Sequence, residues 1–153
     1  MIPPSIILLR SWTELIPGQR FDFGTLSLPE AEIIEFAAKY DPQPFHTDPE
    51  AAKSAPLFGG LVASGLHTMG ACFGRIMGSG LFREVSLGGS RIDTRWPAAL
   101  RPDEEFALDG VVESVAAHRA RPGMGVLGMH YTGTRTSDGV VVITMMATQY
   151  LKE

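Results

Sequence analysis

The spacing of apolar and polar positions changes its period near the middle of the chain. Before about residue 80, apolar residues recur at helical spacing or sit in proline- and glycine-rich connections; from Ser86 onward they alternate as in strands. Arg20 to Leu26 carries β-compatible residues and reads as a first strand. Ser27 is a good N-cap, Glu30 follows as in a capping box, and Pro29 is tolerated in a first turn, so a helix is expected to start there. Ile33, Ile34, Ala37 and Ala38 give it an apolar face. It must stop by Tyr40, because Pro42 pushes the residue before it out of the helical region. A short second helix is predicted over about Pro49 to Ser54, with Asp48 as its cap and a proline at its first position. Pro56, Gly59 and Gly60 then lead to a longer helix, running from Leu61 or Ser64 to Met77. Its positions Val62, Leu66, Met69, Phe73 and Ile76 step by four and three, with small residues on the other sides. A helix that is apolar or small all round reads as buried.

In the second half, Ser90 to Trp96, Glu105 to Val115, Val126 to Thr136 and Val140 to Leu151 each read as strands. Ser137-Asp138-Gly139 is the turn of a hairpin, and Pro97, Pro102 and Pro122-Gly123 punctuate the rest. The expected architecture is α+β: a long antiparallel sheet with one buried helix on it. The apolar stretch Val140 to Met146 implies a sheet with an open edge or face, which pairing would cover, so a homodimer or higher homo-oligomer is expected.

At 153 residues the chain is long enough for one domain, 1–153, with a real core. Hydrophobic residues at 44% and charged residues at 20% are those of a globular chain, which argues against disorder. A net charge of -4 without any basic block argues against nucleic acid as a partner. The single cysteine, Cys72, excludes an internal disulfide and a zinc site built from thiolates, and reads as a small core residue. His46, His67, His118 and His130 show no short ligand spacing, so no metal is expected. His67 reads as a core histidine; His118 and His130 receive no role. The apolar run Ile6 to Leu9 is too short for a signal core or a membrane span, and a cytoplasmic location is expected, with no membrane partner.

The chemistry concentrates in YDPQPFHT, Tyr40 to Thr47, which sets Asp41 five residues before His46 with Pro42, Gln43 and Pro44 between. The two prolines are read as forbidding a helix, so the segment is expected to be a fixed irregular loop. An acid and an imidazole aimed into one space supply the proton acceptor and donor that addition or removal of water requires. The bland alternative is structural: Asp41 caps the turn and His46 bonds a carbonyl. Ser64 is either an N-cap or a substrate contact.

The order of a helix, then YDPQPFHTDPEAA, then FGGLVASGLHTMG opening a further helix, then long strands, resembles the MaoC-like hydratases and dehydratases. That family includes the (R)-specific enoyl-CoA hydratases and has the hot dog fold, a curved antiparallel sheet around a central helix. The resemblance runs from about Trp12 to Tyr150. It implies a hydro-lyase that adds water reversibly to a trans-2-enoyl thioester. Asp41 and His46 form the catalytic pair: a neutral His46 takes the water proton, and Asp41 orients the water and passes a proton to or from C2. The Gly65 N–H, at a helix start, is implied as oxyanion donor, where a glycine also permits close approach of the substrate. No cofactor is implied beyond the coenzyme A of the substrate. Gln43 stands where the family usually has asparagine and Ser64 where many members have histidine; both are assigned to substrate binding. Pro102-Asp103-Glu104 replaces a Pro-Gly-Asp turn. Arg91, Arg95 and Arg101 are candidates for the coenzyme A phosphates, or else ordinary surface ion pairs. Two other functions fit such a fold, an acyl-CoA thioesterase and a non-catalytic acyl-binding subunit. Thioesterases of this kind place a carboxylate on the central helix, and the segment Leu61 to Met77 has none.

Overall fold

Five antiparallel strands make one sheet in the computed structural model, which describes residues 7–153. Met1 to Pro4 and Ile6 of the short apolar run lie outside the described residues. The strands are β1 (Arg20–Leu26), β2 (Ser86–Arg95), β3 (Phe106–Ala117), β4 (Met124–Arg135) and β5 (Val141–Lys152), and they lie in the order β1-β3-β4-β5-β2. Helices α1 (Glu30–Tyr40), α2 (Pro44–Thr47), α3 (Pro49–Ala52) and α4 (Gly65–Gly78) all come between β1 and β2, after a 3-10 turn at Trp12–Glu14. The sheet wraps around α4, so the α+β hot dog arrangement is the one expected.

Alternation along β3 and β4 sends Phe106, Leu108 and Val112, and Leu127, Met129 and Tyr131, into the core. On the helix side, Cys72 and Ile76 of α4 join them, and Phe73 meets Tyr131 edge-on at 6.5 Å. The buried Tyr131 hydroxyl donates to Gln149 Oε1 at 2.9 Å, which satisfies both polar groups inside the core. Burial pushes that phenol well above its ordinary pKa.

Several expected details differ. Ser27 does not cap α1: the residue before the helix is Pro29, with no side-chain cap, because the chain stays extended through it. The helix ends at Tyr40 as expected, but Ala38 is exposed. α3 ends at Ala52 rather than Ser54, with Asp48 capping it through Glu50 N–H and Ala51 N–H. α4 starts after Ser64, not at Leu61, and it is not buried all round. Its inner face is His67, Thr68, Cys72 and Ile76, whereas Leu66, Gly70, Gly74 and Met77 are exposed. β2 starts at Ser86 and stops one residue before Trp96.

The open edge of the sheet is also not where the apolar run suggests. β5 lies between β4 and β2 and is paired along both sides. The unpaired edges are β1 and β2, and nearly every residue of β2 is exposed. Among the described residues no helix is long and apolar enough to cross a membrane.

Candidate active site

The extended segment Leu61 to Ser64, buried throughout, ties the site together. Val62 N–H donates to Phe45 O at 3.1 Å, Ala63 N–H donates to Leu100 O at 2.8 Å, and Ser64 O accepts from His67 N–H and Thr68 N–H. One strip of backbone therefore joins the α2 turn, the segment after β2 and the first turn of α4.

Asp41 stands at the C-terminus of α1, outside helical geometry at φ -155°, as its position before Pro42 requires. His46 does not sit on an irregular loop, as expected, but on α2, a single helical turn. Pro44 occupies its first position, where a proline loses no helical hydrogen bond. That turn brings His46 Nε2 to 3.4 Å from Asp41 Oδ2. The other ring nitrogen, Nδ1, lies 2.7 Å from Val62 O. A carbonyl only accepts, so Nδ1 carries the hydrogen; in the neutral form of the ring the lone pair then lies at Nε2, on the Asp41 side.

Both oxygens of Asp41 are held. Ser64 Oγ donates to Oδ2 at 2.7 Å, and Gln43 Nε2 donates to Oδ1 at 2.7 Å. The Ser64 hydroxyl holds the Asp41 carboxyl below the ordinary 3.8; partial burial opposes this, and the Gln43 amide and the His46 ring assist. Asp41 is thus a fixed carboxylate. The Ser64 hydroxyl also accepts Leu66 N–H at 3.3 Å, so it is at once the cap of α4 and a brace for Asp41.

Asp41, His46, Ser64 and Gly65 face a cavity of about 320 Å³. Most of the remaining wall is apolar, including Phe58, Leu66, Trp96, Leu100 and Val142; Thr68 adds one hydroxyl, and among the described residues no Lys or Arg lines it. Val142 enters the wall through a bulge: Ile143 pairs with Gly133 and Val141 with Thr134, which leaves Val142 without a partner across the ladder. Gly65 opens α4, and its N–H has no partner among the described residues.

The three arginines do not converge here. Arg91 pairs with Asp93 at 2.7 Å on the exposed edge strand, Arg95 ends that strand, and Arg101 donates to Phe58 O. His67 lies outside the cavity wall, stacked on Phe36 at 4.6 Å with its Nε2 3.8 Å from Glu32 Oε1. Burial lowers its pKa, against the pull of Glu32. Burial likewise raises the Cys72 thiol to about 12, so it is no nucleophile. Among the described residues no three potential metal ligands cluster.

Sequence reasoning missed Val62, whose contribution is a carbonyl, and Trp96. Trp96 Nε1 donates to Gly65 O at 2.9 Å. Its ring also approaches Gly65 closely: a Cβ there would stand 2.5 Å from Trp96 Cε2.

Residues 13–128 match the family model described as MaoC like domain. An uncharacterized protein of Bacillus subtilis (strain 168), YdeM, is 30% identical over 115 residues, 74% of this chain and 79% of that one. The crystal structure of a MaoC-like dehydratase from Rhodospirillum rubrum superposes with a TM-score of 0.83 at 31% identity, over 92% of this chain and 95% of that one. An R-hydratase from Pseudomonas aeruginosa in unliganded form shares the fold, with a TM-score of 0.68 at 18% identity over 94% of this chain and 86% of that one.

Proposed function

This chain belongs to the MaoC-like domain family, and from that premise we propose that it adds water reversibly to the double bond of a 2-enoyl thioester, without a cofactor. The observation that carries the reading is the fixed pair: a carboxylate with a donor on each oxygen, and an imidazole whose Nδ1–H is held by Val62 O so that Nε2 is the basic atom. A water in the cavity that faces both Nε2 and Oδ2 gives one proton to His46 and hydrogen-bonds through the other to Asp41. Its oxygen attacks C3, and negative charge moves to the thioester oxygen. The free Gly65 N–H at the start of α4 stabilises that charge.

The hydrogen bonds that keep Asp41 ionised change one step. A carboxyl held below its ordinary pKa is a poor proton donor. The imidazolium formed on His46, paired with Asp41, is therefore the group that returns the proton to C2. One water supplies both the hydroxyl and the hydrogen, and the pair ends as it began.

The apolar wall fits an uncharged acyl chain, and α4 carries no carboxylate for the thioesterase alternative. The exposed faces suggest the working unit. Leu66, Met77 and Ile92 leave apolar surface open beside the free outer edge of β2, and a second copy paired along that edge would cover both.

The test is a panel of enoyl-CoA and acyl-carrier-protein thioesters, followed by loss of the conjugated absorbance. Asp41→Asn and His46→Ala should each lower kcat/KM by roughly 10²–10⁴-fold. Variants that hydrate as fast as the wild type would sink the pair; hydrolysis without hydration would establish a thioesterase, and neither reaction a binding subunit.

A further inference from the structure

Gly65 is flanked by two peptide planes, and the structure holds them in different ways. The plane before it is fastened through Ser64 O, which accepts from His67 N–H and Thr68 N–H and leaves the Gly65 N–H free. The plane after it is pinned at both ends. Leu66 N–H donates to Ser64 Oγ at 3.3 Å, and Trp96 Nε1–H donates to Gly65 O at 2.9 Å. A glycine has the widest backbone freedom of any residue, so a glycine at a reaction centre needs restraint from outside. Here an indole supplies it. Ring atoms Cε2, Nε1 and Cδ2 would lie 2.5, 2.7 and 2.9 Å from a Cβ at this position, so the contact is available to glycine alone.

We propose that Trp96 is a positioning residue that clamps the Gly65 peptide, so that the free Gly65 N–H keeps its aim at the thioester oxygen. The inference rests on the hydratase reading above. Donors act on developing charge only when they are oriented in advance. Releasing the clamp should then raise the barrier to reaction more than it weakens binding, a loss in kcat with KM nearly constant.

Two experiments test this. Trp96→Phe keeps an aromatic ring and removes the N–H; its kcat should fall roughly 10–100-fold while KM changes less than about threefold. Wild-type kcat in Trp96→Phe, or a loss confined to KM, would overturn the proposal, the latter making Trp96 only a wall of the cavity. The second experiment needs no activity. Gly65→Ala should lower Tm by roughly 3–10 °C because its methyl meets the indole, and by much less in a Trp96→Ala background. Additive shifts would show that the clamp does not exist in solution. If the wild type hydrates no enoyl thioester, the proposed function fails on its own, and the Tm cycle still decides the clamp.

Discussion

Replacing Ser64 by alanine removes one oxygen that serves two partners, and pH separates its two effects. Ser64 is fully buried, donates to Asp41 Oδ2 at 2.7 Å, and accepts Leu66 N–H at 3.3 Å as the cap of α4. Loss of the cap costs about 1 kcal/mol. Loss of a hydrogen bond to a charged group costs about 1.5–3 kcal/mol, toward the lower end here because the Asp41 side chain is 20% exposed. Together their loss destabilises the protein by roughly 2.5–4 kcal/mol at neutral pH. The Asp41 part depends on pH. A carboxyl whose folded pKa is depressed contributes stability above its unfolded pKa, and that contribution is lost as pH falls through the folded value. In Ser64→Ala the folded pKa moves back up, so the gap between variant and wild type should narrow in acid to the cap alone. Urea unfolding of both proteins, at neutral pH and well below 3.8, measures this directly. Ser64→Thr keeps the hydroxyl and should keep most of both effects. A gap that stays constant with pH would refute the brace on Asp41 and leave Ser64 as a cap only.

Ile92→Lys places a charge on the exposed apolar face of β2, 43% exposed in the single chain, and should convert a dimer into monomers by sedimentation; an unchanged mass would remove β2 from the interface. His67 has a folded pKa lowered by burial, so the unfolded chain binds the proton more readily and wild-type stability should decline as pH falls below 6.5. His67→Leu should flatten that decline in denaturant titrations, and an equally steep decline would assign it to other groups. An enoyl thioester with a terminal carboxylate should be hydrated roughly 10²-fold more slowly than an uncharged one of equal length, since no Lys or Arg among the described residues lines the cavity; equal rates would show that the tail lies elsewhere.

The parts of this molecule that were legible in its sequence are those whose partners lie close along the chain. Asp41 and His46 are five residues apart, and Asp48 caps a helix beginning at the next residue. Where a partner is a backbone atom, the sequence carries no mark of it. Val62 O fixes the His46 tautomer, yet any residue at position 62 would present that carbonyl. Pro44 was misleading because a proline excludes the interior of a helix but suits its first position. The face of α4 was unreadable for another reason. Both of its sides are apolar or small, and the side holding His67 and Thr68 turns inward while Leu66 and Met77 turn out. A pattern with two apolar faces does not mark which of them its own sheet covers. The apolarity of β5 likewise reports that it is flanked on both sides, not that it is an edge.

Gln43 and Ser64 do not act independently. Gln43 and Ser64 are 21 positions apart in the sequence, yet each donates to a different oxygen of the same carboxylate. A donor on one oxygen alone would let the carboxylate turn about its last bond; a donor on each fixes its plane and thereby the direction of Oδ2 relative to His46 Nε2. Gln43 is exposed and reaches Oδ1 from outside, while Ser64 is buried and reaches Oδ2 from the helix start. The residue that braces the acid from within is thus also the residue that caps the helix presenting Gly65. A single hydroxyl couples the Asp41 carboxylate to the backbone that opens α4, so a change at Ser64 disturbs both sides of the cavity together.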